Sequence, residues 1–499
     1  MRPAARLPLV AAALAGPTVL AFFAGGYFDT ARLVAAIAAW ALVLVAALTS
    51  AQPLPAARAG RVAVVGLVLL AAWTAVSFAW APLSDPAAAA VERLLLYVGA
   101  LIAAAALLRG EAVRRWAEPA LAAGTAIVIG YALAGRFLPG IVHQAHSISA
   151  GGRLEQPLTY WNAMGALGAI GLILAVRVSG EPSRPTSLRT SAAAVAVMLG
   201  LGTYRSFSRG ALAALAIGAV TLIALVPTRP QLRALAIALV GAGCAAALTG
   251  ALASVRTLGG SLATREREGA AMLGALAGLC ALAAAAQWYS ARSEATGGPS
   301  SGPLPRPRHS RATAAAAIVL LFVGLVAYAA SDKGRPPATG ANPARLGSLE
   351  SNRYAYWGVA LRDGFAKRPL NGLGAGGFSV AWLQHRSIRE RTRVAHSLYI
   401  EMLAELGLVG FALLAVFYGG IAASARRAYR ADPLFAAGAA AALVTYAAHA
   451  AVDWDWEMPA LTLVAIALAG LLIAAADRRA EVGEGVAAVA EAQPAPVAQ

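Results

Sequence analysis

The stretch "AHSLYIEMLAELGLVGFALLAVFYGGIA", residues 395–422, decides the fold class. It is longer than the roughly 18 apolar residues that cross a bilayer core as a helix. Yet it has a histidine, His396, at its mouth and two glutamates, Glu401 and Glu405, one helical turn apart inside. Runs of this kind recur at about 7–27, 31–50, 61–81, 87–108, 116–137, 161–178, 190–206, 210–227, 232–254, 269–289, 312–330, 397–424, 433–452 and 458–476. A membrane barrel would instead alternate over strands of about ten residues. The chain as a whole is 59% hydrophobic and only 13% charged, with a mean hydropathy of +0.65. That balance excludes an ordinary soluble domain. The expectation is an all-α polytopic integral membrane protein with about 12–14 transmembrane helices.

The run after "MRPAAR" has no convincing cleavage site, and a second run follows within a few residues, so it reads as a first span rather than a signal peptide. Arginines crowd alternate turns, from Arg58 and Arg61 to "RRAYR" at 426–430, while Asp29, Asp85 and "DWDWE" at 453–457 occupy the opposite ones. Because basic loops resist translocation, this bias puts the N-terminus inside the cell. Four regions follow: N-terminal transmembrane helices over 1–330, a basic loop over 331–397, C-terminal transmembrane helices over 398–478, and a disordered cytoplasmic tail over 479–499. Cys244 and Cys280 both fall inside spans and read as small buried residues, with no disulfide or metal site implied.

The loop 331–397 lies outside the cell under this topology, yet carries a net charge of +7. Long segments translocate despite such charge, but the excess calls for an anionic partner at the outer membrane face rather than a nucleic acid. Lipid head groups alone would account for the charge. They do not account for "SNRYAYWGVALRDGF", residues 351–365, whose Arg353, Tyr354, Trp357, Leu361 and Phe365 recur at helical spacing behind a capping Ser351. This reads as an interfacial helix holding Arg353 at the head-group plane. The nearby "PLNGLGAGGF" matches G-x-G-x-x-G but lacks the flanking strand and helix of a dinucleotide site. It reads as a flexible turn that lets the loop fold back over the membrane.

Other polar groups gather at outward turns. "TYRSFSRGAL", 203–212, places Arg205 and Arg209 four apart with Ser208 to cap the next helix. A helix N-terminus with arginines suits phosphate oxygens, although interface-marking arginines have the same look. "AGGRLEQPLTYWNAMG", 150–165, offers Arg153, Tyr160, Trp161 and Asn162, either as a sugar-binding set or as an aromatic belt. "HAAVDWDWEMP" sets His449 and Asp453 four apart, as a proton relay, an acceptor site or a local helix-face hydrogen bond. His396 has the reference pKa of a general base near neutral pH, and Arg391 and Arg393 would keep it neutral. A bond to a loop carbonyl is the structural alternative for it. Glu401 and Glu405, costly in a span, would pair with arginines of neighbouring loops or take part in function.

In order and spacing, "SRGAL" at 208–212, "NRYAYWGVALRDGFAKRPLNGLGAGGF" at 352–378 and "AHSLYIEMLAELGLVG" at 395–410 resemble the bacterial O-antigen ligase and O-antigen polymerase family. One departure is Ser397, where the family commonly has Asn after its histidine. The resemblance implies a multi-pass cell-membrane glycosyltransferase with its large loop extracytoplasmic. Such an enzyme takes a glycan from undecaprenyl diphosphate and passes it to a glycan or lipid acceptor, without cofactor or metal. On this sequence His396 matches the histidine that activates the acceptor hydroxyl, and Arg209 and Arg353 match the arginines that hold the diphosphate. Arg205 is a further diphosphate candidate. Arg153, Asn162, Glu405, His449 and Asp453 are possible substrate contacts. A repeat-unit polymerase shares the donor chemistry. A lipid-linked glycan transporter would tend to show internal repeats and charges near the midplane, which this sequence does not.

Overall fold

A computed structural model describes residues 3–50, 52–296, 340–342, 345–346 and 351–491 of the chain. Its helices are α1 (Pro3–Ala21), α2 (Asp29–Thr49), α3 (Arg58–Val76), α4 (Ser84–Leu107), α5 (Glu111–Phe137), α6 (Trp161–Ser179), α7 (Thr186–Arg205) and α8 (Arg209–Leu225). After them come α9 (Arg229–Ala251), α10 (Ala253–Thr257), α11 (Leu262–Ala295), α12 (Arg353–Val359), α13 (Phe378–His385), α14 (Leu398–Ala431), α15 (Pro433–Ala450) and α16 (Pro459–Glu491). No β-strand occurs among the described residues. Thirteen of the expected spans coincide with a helix; the one at 312–330 lies outside the described residues. Among the described residues, ten helices are long and apolar enough to cross a bilayer, with two shorter apolar ones at Leu7–Ala21 and Arg209–Leu225. α7 falls below that apolarity because its first turns hold Thr186, Ser187, Arg189, Thr190 and Ser191. The chain is thus an all-α polytopic membrane protein. α16 continues to Glu491, into the stretch where the sequence suggests a disordered tail from 479.

Two helices form the centre. The apolar spans of α6 and α16 (Trp161–Ser179 and Pro459–Asp477) are buried throughout. α6 packs on α5, α7, α8 and α15, and α16 on α1, α4, α14 and α15. Lipid tails are as apolar as these side chains, so the helices are held together mainly by close packing, which the small residues of "WNAMGALGAIG" permit. α1 belongs to this bundle, with Val10, Leu14 and Leu20 buried.

α14 is broken. Gly407 adopts φ 65° and ψ −164°, a conformation open essentially to glycine alone. The break frees backbone groups that hydrocarbon cannot satisfy, and the glycine-rich loop supplies their partners. Leu373 and Gly374 donate to the carbonyls of Ala404 and Glu405 at 2.9 and 2.8 Å, and Leu408 donates to Pro369 at 2.8 Å. Trp73 Nε1 donates to the Leu406 carbonyl at 3.0 Å. The backbones approach so closely that a Cβ on Gly372 would sit 2.4 Å from the Glu405 carbonyl carbon. The turn expected to be flexible is therefore docked, and its glycines serve close approach.

The described part of the loop has a small core of its own. Tyr356, Val359 and Ala360 pack with Phe378, Trp382 and Ala404 against the start of α14. α12 passes into a π-helical turn, Ala360–Phe365. Its cap is Asn352 rather than Ser351, although Ser351 Oγ does accept the Arg353 N–H at 3.3 Å. Tyr354 and Leu361 of the expected stripe face outward, 46% and 37% exposed, as residues meeting a membrane interface would.

Candidate functional site

The connection between α15 and α16, residues 449–457, organises one end of the bundle. Asp453 is buried and accepts hydrogen bonds from three sides: Arg353 Nη2 at 2.5 Å, Tyr160 Oη at 2.7 Å and the Trp454 N–H at 3.0 Å. Asn162 Nδ2 donates in turn to Tyr160 Oη at 2.6 Å. His449 does not pair with Asp453, as a continuing helix would require, because α15 stops at Ala450. Its Nδ1 lies 2.6 Å from Asp455 Oδ2, and its Nε2 lies 3.5 Å from Ser208 Oγ. Trp454 packs on Tyr160 at 4.5 Å with the rings tilted by 43°, and meets the His396 ring edge-on at 6.2 Å. One nine-residue segment thus touches the first turns of α6, α8, α12 and α14.

Three of these entries share a local device. Thr159, Phe207 and His396 have positive φ, at 65°, 49° and 55°. Each directly precedes a helix cap, Tyr160 of α6, Ser208 of α8 and Ser397 of α14. A left-handed residue costs a non-glycine about 1–2 kcal/mol. Here it turns the chain sharply from loop into helix. Three helix N-termini, each carrying partial positive charge, therefore start around the same acidic segment.

His396 is the most constrained of the three. It is half-buried between Tyr356, at 5.2 Å, and Trp454. Its Nδ1 lies 3.1 Å from the Val394 carbonyl. A carbonyl only accepts, so Nδ1 carries the proton and Nε2 keeps a lone pair. Burial holds the imidazole below its ordinary pKa of 6.5, with Arg353 acting the same way against Asp453. The carbonyl bond anticipated as the structural role of this histidine is present, and it leaves the Nε2 lone pair able to accept a proton. Ser397 caps α14 by accepting the Ile400 N–H, a role Asn fills equally well.

The arginines divide. The half-buried Arg353 stays charged despite burial because Asp453 and Tyr160 raise its pKa. Arg209 opens α8, directly after the Ser208 cap, whose Oγ is the atom that reaches His449. The Arg153 guanidinium sits over the Trp161 ring, 3.6 Å from its centre, and donates to the carbonyls of Ala150 and Ser149. Burial and the neighbouring charge of Arg345 bring Arg153 down to about 10. Arg345, itself lowered by burial and by Arg353, is a member of this basic cluster that sequence reasoning passed over. It lay unmarked among eleven loop cations with no helical pattern around it. Arg205 is elsewhere: its side chain is wholly buried and donates to the carbonyls of Val255 and Arg256.

The two glutamates of the opening stretch find backbone partners, not loop arginines. Glu405 accepts the N–H groups of Gly376 and Phe378 at 2.8 and 3.1 Å, which fixes the glycine-rich loop and the start of α13. Glu401 accepts the Ala395 N–H at 2.7 Å, one residue from His396. Both act on the loop's position.

Residues 257–415 match the sequence model of a family described as O-antigen ligase. The match includes Arg353 and His396 but stops before α15, so Asp453 and His449 lie outside it, as do Arg209 and Tyr160. No curated protein matches the chain.

Proposed function

The chain belongs to the O-antigen ligase and polymerase family, as a membrane enzyme of that type, and from this premise we propose that it transfers a glycan from a polyprenyl diphosphate to a sugar hydroxyl at the extracytoplasmic face. The observation that carries this reading is the meeting of a neutral imidazole, His396, with the ion-paired Arg353 on one acidic segment. His396 Nε2 takes the proton of the acceptor hydroxyl as its oxygen attacks the anomeric carbon. The bond from that carbon to the diphosphate oxygen breaks, and the polyprenyl diphosphate leaves with the bonding pair. Arg353 and Arg209, with the N-terminus of α8, meet the charge that develops there. Single displacement from the opposite side inverts the anomeric configuration. Asp453, with Tyr160 and Asn162 behind it, positions Arg353 and does not touch the reacting atoms.

Reconstituted protein should release polyprenyl diphosphate only when both donor and acceptor are present. Release from donor alone, at an undiminished rate, would count against transfer. In cells lacking the protein, long chains held on the polyprenyl carrier would assign a ligase, and single repeat units a polymerase.

A further inference from the structure

Two cavities open on one flank of the bundle, and the chemistry above uses neither. The first, of about 1120 Å3, lies at the outer ends of α2 and α4 beneath residues 391–394. Four arginines and five carboxylates line it. Arg32 is held by Asp29 and Glu92 at 2.5 and 2.7 Å, and Arg93 by Glu457 at 2.6 Å, so these guanidiniums are already neutralised. Glu401 differs from its neighbours. It is only 8% exposed, one oxygen is fixed by Ala395, and among the described residues the other oxygen accepts no hydrogen bond. The second cavity, of about 710 Å3, is an apolar trough between α1, α2, α4 and α16. It shares Phe28 and Thr30 with the first and follows α2 down to Leu42, a depth of roughly 18 Å at 1.5 Å per residue.

An apolar trough that ends in a polar chamber has the form of a single lipid with its head group. A diphosphate head would find the buried guanidiniums of this chamber, Arg32 and Arg93, already taken by Asp29, Glu92 and Glu457. A sugar head suits it: hydroxyls donate to carboxylates and accept from guanidiniums. The chamber also adjoins the base. Val394 lines it and accepts the His396 Nδ1 proton, and Tyr27 of its wall meets Trp454 at 5.4 Å. Resting on the reading of His396 as base and Arg353 as diphosphate holder, we propose that this flank is the acceptor site for a lipid-anchored glycan. The lipid chain follows the trough, and Glu401 holds the sugar that presents its hydroxyl to His396.

The test uses full-length protein in lipid nanodiscs with a polyprenyl-diphosphate donor and two acceptors carrying the same sugar, one lipid-anchored and one water-soluble. Gly16→Phe and Ala38→Phe fill the trough, and a Cβ on Gly16 meets nothing within 4 Å, so the fold accommodates the first. Their preference for the lipid-anchored acceptor should fall at least about tenfold. Glu401→Gln should raise KM for both acceptors more than for the donor. On filling the trough, an equal loss with both acceptors or a rise in donor KM would overturn the assignment. A photoreactive glycolipid should also label α1 and α2 and be displaced by unlabelled glycolipid. Displacement by polyprenyl diphosphate alone would give the trough to the donor. This labelling needs no turnover, so it stands even if the transfer reading fails.

Discussion

A histidine with φ 55° carries its cost for a reason, because asparagine or glycine would sit there with less strain. His396→Asn should therefore keep or raise thermal stability while lowering transfer about 10²–10⁴-fold; melting and turnover measured on the same preparation separate the two. A joint loss would mark the imidazole as structural. The depressed pKa fixes a second expectation. With neutral His396 as the proposed base, kcat/KM should fall as pH drops through its pKa, with a midpoint below the ordinary 6.5. A pH profile with its acid limb above that value would exclude His396 as the titrating group. At Arg353, lysine keeps the charge opposite Asp453 but loses the planar fork. Arg353→Lys should melt near wild type and turn over about 10²–10³-fold more slowly. Arg353→Gln should also lose roughly 3–5 kcal/mol of stability, since the Asp453 side chain, 1% exposed, is left without its cation.

Among elements, the broken α14 decides where the part of the loop that carries Arg353 sits. The break at Gly407 exposes carbonyls, the glycine-rich loop docks on them, and Glu405 ties that loop to the start of α13. The small core on α13 in turn supports α12 and Arg353. Gly407→Ala demands a backbone conformation worth of order 1–3 kcal/mol and puts a Cβ 2.3 Å from the Leu370 carbonyl carbon. Its predicted outcome is a lower melting temperature in detergent and faster protease cleavage within 366–377, with activity lost in proportion. Wild-type melting would mean that the break is incidental.

For the whole molecule, the alternating charge bias and the helix order assign the ends of the bundle to opposite membrane faces. In a variant without Cys244 and Cys280, Ile148→Cys, at a position fully exposed beside the site, should react with an impermeant thiol reagent in intact cells. Arg115→Cys, at the opposite end, should react only after the membrane is opened. The reverse pattern would invert the orientation and move the proposed chemistry to the cytoplasmic face.

Local physics explains how much of this was legible. A bilayer imposes length and apolarity on every spanning helix, so the sequence alone determined the all-α polytopic class and thirteen of the helices described. His396 and Arg353 also stood out, through their place at the mouths of apolar or amphipathic runs and through a family resemblance. What only the tertiary structure decided are the pairings. Asp453 takes Arg353 and Tyr160, which are 100 and 293 positions away, rather than His449 four positions away. Glu401 and Glu405 take backbone amides, and Arg205 turns inward while Arg345 joins the basic cluster. A polar group on the edge of a membrane bonds whatever neighbour the packing delivers, and that neighbour lies anywhere from 6 to 293 positions away in the pairs above.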